Sequence, residues 1–359
     1  MKINPPRAPI ASDTIRYALM HLTEACACVT LLLGKVALHA GHDRLILLTI
    51  FFNALAIGGR VTVSLLADRV TNRRTGVLLG VMLFFLGFFW PPQLGVTVAV
   101  SLAAMGSAVF HAFSASSVMA ASAFGASGMG LLMGCAALGT ALGVHTKFFG
   151  YPAILLFVIL ACPSDENSDT VSLTEHRLPW APKTEAAPLF AVLLFSAVTL
   201  ASYLLSSLNL SAGADPKTLL LLALAVTVGR AVGGFISDRF GSIPLLTLSL
   251  GGGGLILAFF AHSGRLFVLA GLLLFSLSAS PMLSLLHRFL PASPAFAASL
   301  FAGAAYLGYT AVKLDPMKKS LTLPFALIVL GLCLAAEIYL TRKARHQDQE
   351  NEPEQEVLS

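Results

Sequence analysis

The stretch GRVTVSLLADRVTNRR, residues 59–74, contains the turn that decides the fold, and GRAVGGFISDRFG, residues 229–241, repeats it. In each copy a Gly-Arg pair precedes an Asp-Arg pair, and Asp68 and Asp238 are 170 positions apart. Each Asp-Arg pair lies in a polar turn between two apolar segments. The repeat therefore predicts a chain built from two similar halves.

Composition places the chain in a membrane. Hydrophobic residues make up 56% of the sequence and charged residues 11%, against about 25% charged residues in a soluble domain. No Asp, Glu, Lys or Arg occurs between Thr75 and Thr146, a length that suffices for about three membrane-spanning helices of about 20 residues each. The sequence therefore predicts a multi-pass membrane protein in contact with the lipid bilayer.

Other classes of protein fit these residues poorly. The net charge of +5 is spread over loops without interleaved aromatic residues, unlike a nucleic-acid-binding surface. The first 12 residues contain charges and prolines without an apolar core, so we expect no cleavable signal peptide. The five cysteines lie in or beside apolar segments, which favours neither disulfides nor a metal site. With no nucleotide-binding glycine loop and no nucleophile–base pair, we expect no cofactor and no enzymatic activity.

Apolar runs between charged, Gly and Pro clusters predict an all-α membrane protein with twelve transmembrane helices in two pseudo-symmetric six-helix bundles. Helices are expected because a spanning backbone must satisfy its own hydrogen bonds. The expected spans are about 14–38, 44–66, 75–91, 94–118, 125–146, 148–163, 187–210, 217–237, 243–262, 265–287, 294–312 and 321–341. Five aromatic residues in the third span predict a peripheral helix that faces lipid.

The polar segment 164–186 separates the predicted halves, 1–163 and 187–341, and an acidic tail follows at 342–359. We interpret that segment as a cytoplasmic linker and the tail as disordered. With an even number of spans both termini lie on one side, and that side carries the larger share of Lys and Arg. We therefore expect a cell (inner) membrane protein with cytoplasmic termini.

The first Asp-Arg turn resembles the loop 2–3 signature of the major facilitator superfamily, and residues 234–241 are similar to its echo in loop 8–9. The resemblance implies a secondary transporter that works by alternating access. Ser64 and Thr71 replace the usual glycines of the first copy, which implies a weaker latch at that loop. The gating-loop residues implied by the resemblance are Asp68, Arg69, Arg73, Arg74, Asp238 and Arg239.

Within that superfamily, residues 106–111 (GSAVFH), the His21-x-x-Glu24 pair and the Gly-rich fifth helix are similar to fosmidomycin-resistance-type efflux proteins. This resemblance implies proton-coupled efflux of a small solute, with Glu24 at the acidic position of the first helix. The alternatives are proton-coupled or facilitated uptake by a permease, and a transport-inactive membrane sensor or scaffold of the same fold. We expect a monomer whose partners are the solute and protons.

Ionisable groups inside apolar spans need a partner or a watery cavity, because inserting a charge in hydrocarbon costs a few kcal/mol or more. Glu24 lies about 15 Å into the first span, near the midplane, and His21 lies one turn earlier on the same face. His111 lies in the fourth span. We predict that these three residues belong to the proton-coupling and substrate cavity, with buried packing roles as the alternative.

Two arginines lie inside spans, at equivalent positions of the halves. Arg60 and Arg230 each precede a loop Asp by eight residues, about 12 Å along a helix. Because one asymmetric substrate does not require a duplicated group, this placement favours a structural role, with Arg bonded to helix-end carbonyls or loop acids. The alternative is that one arginine clamps an anionic substrate. Tyr203 and Asn209 in the seventh span complete the predicted cavity, since uncharged donors and acceptors suit a small polar solute.

Overall fold

In a computed structural model of the chain, the described residues are 12–70, 72–121, 126–146, 149–162, 215–260, 263–290 and 293–314, with single residues at 195, 196, 198, 199, 202, 331 and 335. All regular secondary structure within these ranges is helical, which confirms the all-α class. The predicted linker and tail lie outside the described residues, and so do Thr71, Tyr203 and Asn209.

Six helices form the described part of the first half. They are α1 Ser12–Val29, α2 His42–Ala67, α3 Arg73–Phe89, α4 Val96–Ala121, α5 Ala126–His145 and α6 Gly150–Ala161. The first of them continues as a π-helical stretch, Thr30–Val36. Each helix coincides with one of the first six predicted spans to within three residues.

The described part of the second half has the same alternation of helices and short turns. Its helices are α7 Pro216–Phe240, α8 Ser242–Leu246, α9 Gly254–Phe260, α10 Arg265–Ser276, α11 Ala279–Phe289 and α12 Pro294–Leu314. The π-helical stretch Thr247–Gly253 joins α8 to α9. The pairs α8–α9 and α10–α11 each fill one predicted span, while the predicted spans 187–210 and 321–341 lie almost wholly outside the described residues.

Length and composition suit six of these helices to crossing a bilayer. They are Ser12–Val36, His42–Ala67, Val96–Met119, Ala126–His145, Pro216–Phe240 and Arg265–His287. The prediction of a membrane-spanning protein agrees with this finding.

Local sequence fixes where helices begin and end. The Asn72 side chain accepts a hydrogen bond from the Thr75 N–H and caps α3, and Asp215 accepts from the Thr218 N–H at 2.9 Å and caps α7. Such caps satisfy backbone donors that have no partner within the helix. Gly241, with a φ of +88°, ends α7 in a conformation that other residues rarely adopt.

Glycines on two faces of α5 allow it to pack closely against both halves. A Cβ at Gly143 would lie 2.8 Å from the Cys26 carbonyl oxygen of α1, and a Cβ at Gly134 would lie 2.8 Å from the Thr227 carbonyl oxygen of α7. Small residues let helix backbones approach in this way. As a result α5 connects the first-half helix that contains Glu24 to the second half.

The aromatic side chains of α3 lie in a different environment from the lipid-facing one predicted for them. Phe84 and Phe88 are fully buried, and Phe84 packs edge-to-face on Phe157 of α6, with 5.8 Å between ring centroids. Only part of the aromatic face is peripheral, because Phe89 is exposed. The prediction that this aromatic cluster faces lipid is therefore wrong for its two central rings, which instead fill the space between α3, α4 and α6.

Candidate functional site

A buried carboxylate and two imidazoles meet where α1, α4 and α5 pack together. Glu24 is 2% exposed, and its Oε2 lies 3.3 Å from Nε2 of His111. The rings of His111 and His21 form an edge contact with 4.2 Å between centroids. The three residues predicted from different parts of the sequence therefore form one cluster, called the acid–imidazole cluster below.

Hydrogen bonds fix the orientation of this cluster. The Nδ1 atom of His21 lies 2.8 Å from the Leu132 carbonyl oxygen of α5, so Nδ1 carries the proton and donates it. The thiol of Cys28, one turn after Glu24, donates to Glu24 Oε1 at 3.2 Å. Each Glu24 oxygen therefore has one polar neighbour, and a neutral His111 with its proton on Nε2 can donate to the second.

The Arg60 guanidinium of α2 interacts electrostatically with the acid–imidazole cluster. Its charge acts on Glu24 and on both imidazole rings. The Nε atom of Arg60 is buried and has no hydrogen-bond acceptor within the described part of the chain. Arg60 therefore provides a positive charge that balances Glu24 while retaining an unused donor.

The equivalent arginine of the second half has a different environment. Arg230 Nη1 donates to the Met133 carbonyl oxygen at 2.9 Å, and Thr227 donates to the Gly134 carbonyl oxygen at 2.8 Å. Arg230 thus bonds a carbonyl, as its predicted structural role requires, but in the middle of α5 and not at a helix end. With the bond from His21 to Leu132, the side chains of His21, Arg230 and Thr227 contact three consecutive carbonyl oxygens of α5, those of residues 132, 133 and 134.

The two Asp-Arg turns make matching contacts across the halves. Asp68 accepts hydrogen bonds from the Ala295 N–H at 2.9 Å and the Phe296 N–H at 3.0 Å, at the start of α12. Asp238 accepts from the Ala126 N–H at 2.7 Å and the Ser127 N–H at 3.1 Å, at the start of α5. Both helix starts are positive ends of helix dipoles, so each carboxylate is well placed. These two contacts are called the latches below.

Substitution of glycine by Ser64 does not prevent the first latch. The Ser64 side chain is fully buried and donates to the Val61 carbonyl oxygen at 2.7 Å, so its hydroxyl is satisfied within α2. At the equivalent position a Cβ on Gly234 would lie 2.6 Å from the Ser127 Cα. The second latch therefore needs glycine for close approach, and the first accommodates a small hydroxyl residue.

The remaining loop charges surround the latches. Burial raises the pKa of the Asp68 carboxyl, against the opposing effects of its two backbone N–H bonds and of the nearby Arg73. Arg74 is half-buried. Arg69 and Arg239 are exposed, and the Arg239 guanidinium lies 5.6 Å from the centroid of the Phe240 ring. The two acids therefore make the hydrogen bonds that define the latches.

The acid–imidazole cluster is also the group in the described chain that could hold a metal ion. One ligand atom each from His21, Glu24 and His111 lies within 4.8 Å of the other two, a separation compatible with a nitrogen–oxygen site. The charge of Arg60 opposes a divalent cation at this position. The arrangement therefore suits the binding of a proton better than the binding of a metal.

Several contact residues of the site and latches lack a signal in the sequence. Backbone N–H groups of the latches and the carbonyls of α5 belong to residues with apolar or small side chains, so side-chain chemistry does not indicate them. Cys28 is one turn from Glu24, and that spacing alone could have suggested a contact. The alignment of GCAALG at 134–139 with GAAYLG at 303–308 matches α5 to α12 and could have predicted paired helix starts.

Comparisons with solved structures agree with this architecture. The chain is similar to a Major Facilitator Superfamily transporter, FucP, in the outward conformation, with a TM-score of 0.60 and 14% identity over 93% of this chain and 98% of that one. It is similar to a bacterial homologue of the iron transporter ferroportin in the outward-facing state, with a TM-score of 0.57 and 10% identity over 93% of this chain and 100% of that one.

A third similar structure is the human organic anion transporter MFSD10, with a TM-score of 0.56 and 15% identity over 93% of this chain and 100% of that one. No family model and no curated protein matches the sequence. At these identities the likeness concerns the fold, and it extends over nearly the whole chain. The chain therefore has the fold of the major facilitator superfamily transporters.

Proposed function

We propose that this chain is a secondary transporter that moves a small solute across the cell membrane by alternating access and couples that movement to protons at Glu24 and His111. The observation that carries the proposal is the 3.3 Å contact between these two buried groups, in a fold whose halves are held together at one end by both latches. A multi-pass helical protein with a buried titratable pair has the parts that such a cycle requires.

The latches support alternating access. Each joins an acid of one half to a helix start of the other, so both must break when the halves separate on that side. With the turns on the cytoplasmic side, as the distribution of Lys and Arg favours, the described conformation is closed to the cytoplasm. Two of the similar structures are described as outward or outward-facing, which agrees with this assignment.

The acid–imidazole cluster supports proton coupling. A buried carboxylate beside an imidazole can take up or release one proton without a large movement of atoms. Protonation of Glu24 removes its attraction to Arg60 and changes the electrostatic balance between α1 and α2. A transporter in which the two conformations differ in proton affinity is driven by a proton gradient.

Two directions of coupling follow from the same site. Export in exchange for protons, which the resemblance to efflux proteins implies, requires that solute and proton compete for the cluster. Uptake together with protons requires that they bind at the same time. A sensor or scaffold of the same fold would bind a solute without moving it, and Ser64 and Thr71 at the usual glycine positions of the first turn favour this alternative.

Flux measurements on the whole chain in proteoliposomes test the proposal. Solutes are first selected by the rise in unfolding temperature that binding causes. We expect an imposed pH gradient to drive accumulation of a selected solute in the wild type, and Glu24→Gln to abolish this accumulation while solute exchange down its own gradient remains. The sign of the effective gradient separates export from uptake.

Asp215→Asn is the matched control, because Asp215 is an exposed carboxylate that caps α7 and is distant in sequence from the cluster. It should retain full coupling. Gradient-driven accumulation that persists in Glu24→Gln would remove Glu24 from its proposed role. Solute binding without any solute flux in the wild type would favour the sensor.

A further inference from the structure

We propose that Arg60 binds the anionic group of the solute, so that the substrate is an organic anion that occupies the site together with a proton. The inference rests on the proposed transport function and adds the class of substrate and the residue that selects it. It starts from a difference between two arginines that the duplicated sequence makes equivalent.

The pseudo-symmetry of the halves is broken at these arginines. Arg230 donates to the Met133 carbonyl oxygen of the helix it packs against. Arg60 has a buried Nε without an acceptor in the described part of the chain, although the same half contains a carboxylate within its electrostatic reach. Duplication explains why both positions contain arginine, but it does not explain why Arg230 donates to a carbonyl while the Nε of Arg60 has no acceptor among the described residues.

An unused donor on a buried guanidinium nitrogen is costly. Leaving a buried polar group unpaired costs about 1–3 kcal/mol, and more when the group is charged. A guanidinium presents donors in a planar fork that matches the two oxygens of a carboxylate or the oxygens of a phosphonate or phosphate. An oxyanion on the solute would therefore supply the acceptor that the described part of the chain does not offer to Arg60 Nε.

Charge balance then couples the anion to a proton. The groups that face Glu24 are His21 and Cys28 on its own helix, Arg60 on α2 and His111 on α4. With neutral imidazoles and a neutral thiol, the charges of Glu24 and Arg60 sum to zero. A bound monoanion leaves one uncompensated negative charge in a site of low dielectric, and a proton on Glu24 or His111 removes it. Anion and proton therefore promote each other's binding.

This cooperativity distinguishes the two directions of coupling. Exchange of solute for protons requires that the two compete for the same group. A cationic solute that replaces the proton at Glu24 would compete in this way. An anion at Arg60 instead travels with the proton, which corresponds to the uptake alternative. The proposed substrate class thus favours cotransport of an organic anion and a proton.

Binding measurements on the purified full chain in lipid nanodiscs test this assignment. The probes are benzoate, citrate, phenylphosphonate and inorganic phosphate for anions, and tetraphenylphosphonium, Mn²⁺ and Zn²⁺ for cations. We expect at least one organic anion to raise the unfolding temperature of the wild type. Arg60→Gln should weaken that anion's binding about 30-fold or more, the loss typical of removing one partner of a buried charge pair.

Arg230→Gln is the matched variant, because it removes the equivalent guanidinium and its bond to α5. It should lower the unfolding temperature without ligand and preserve the shift that the anion causes. If Arg60→Gln unfolds, Arg60→Lys keeps the charge without the planar fork and should weaken binding of the same anion. Equal anion affinity in the wild type and in the Arg60 variants would overturn the assignment.

Proton uptake in weakly buffered solution gives an independent test. We expect about one proton to be taken up for each anion bound, and anion affinity to fall as pH rises. Glu24→Gln mimics the protonated acid, so it should bind the anion with little dependence on pH and take up fewer protons. An anion that releases protons on binding would contradict the charge balance.

The outcomes separate this inference from the proposed function. Stabilisation by inorganic phosphate alone would point to a free ion and not to an organic substrate, and it would overturn the inference. Stabilisation and proton-coupled flux of tetraphenylphosphonium or a metal ion, with no effect of any anion, would also overturn it and leave the transporter proposal intact. Anion binding without any flux would contradict the proposed function but retain the role of Arg60.

Discussion

Asp68 and Asp238, at equivalent positions of the two halves, make the same pair of contacts in opposite directions. Each carboxylate accepts two successive backbone N–H groups at the start of a helix in the other half. The acceptor residues are 170 positions apart and the donor residues 169 positions apart. A symmetric closure of this kind holds both halves together at one end through carboxylates that accept backbone N–H groups.

Neutralising the carboxylate of one latch should weaken the hydrogen bonds that it accepts from the helix start of the other half. A hydrogen bond to a charged group contributes about 1.5–3 kcal/mol, so Asp68→Asn should increase hydrogen exchange of the Ala295 and Phe296 amides about tenfold or more. Asp238→Asn should do the same for Ala126 and Ser127. Hydrogen–deuterium exchange with mass spectrometry at one fixed pH measures both effects.

The two latch variants serve as controls for each other, because each should affect its own helix start more strongly than the opposite one. Asp215→Asn removes an exposed acid that accepts from Thr218 at the start of α7 and pairs with the exposed Arg265 of α10, so it should change neither helix start. Unchanged exchange in both latch variants would show that the carboxylates do not hold the halves together.

The contact between α5 and α7 should be less tolerant of a methyl group than the equivalent place in α12. A Cβ at Gly134 would lie 2.8 Å from the Thr227 carbonyl oxygen, whereas a Cβ at Gly303 would meet nothing within 4 Å among the described atoms. Gly134→Ala should therefore cost about 1–3 kcal/mol through overpacking. Gly303→Ala should be neutral or slightly stabilising.

Thermal unfolding of the two variants in the same detergent measures this difference. The positions are 169 residues apart in aligned motifs, so helix propensity and residue type are matched. A similar fall in unfolding temperature for both would mean that the two interfaces are equally tight, contrary to the described packing.

Replacing His111 should alter the pH dependence of transport. His111→Asn retains an N–H donor for Glu24 but cannot take up a proton at physiological pH. We expect the maximal rate of proton-driven flux to fall about tenfold or more and its pH profile to lose one titration step. His145→Asn is the control, because His145 is an exposed imidazole at the end of α5. An unaltered pH profile in His111→Asn would place proton transfer elsewhere.

Features that depend on a local or repeated sequence pattern could be predicted from the sequence. Apolar runs predicted the described helices to within three residues, and the duplicated turn predicted where Asp68 and Asp238 lie. Glu24, His21 and His111 were recognisable individually because ionisable residues are rare in apolar spans. Their meeting depends on contacts between helices that are distant in sequence.

Features that depend on contacts between helices could be seen only in the three-dimensional structure. The difference between Arg60 and Arg230 arises from the positions of neighbouring carbonyls, and two copies of one motif cannot reveal it. The burial of Phe84 depends on α6 packing over α3, so hydrophobicity alone suggested lipid where the protein has an interior. Backbone donors at Ala126 and Ala295 follow from the geometry of helix starts and not from side-chain identity.

The central claim is that Glu24 gains and loses a proton in its contact with His111, and infrared difference spectroscopy between acidic and alkaline pH tests it most directly. We predict a carbonyl band of a buried protonated carboxylic acid that appears on acidification in the wild type and in Asp68→Asn, and that is absent from Glu24→Gln. Identical difference spectra of the wild type and Glu24→Gln, with the same band in both, would contradict the account.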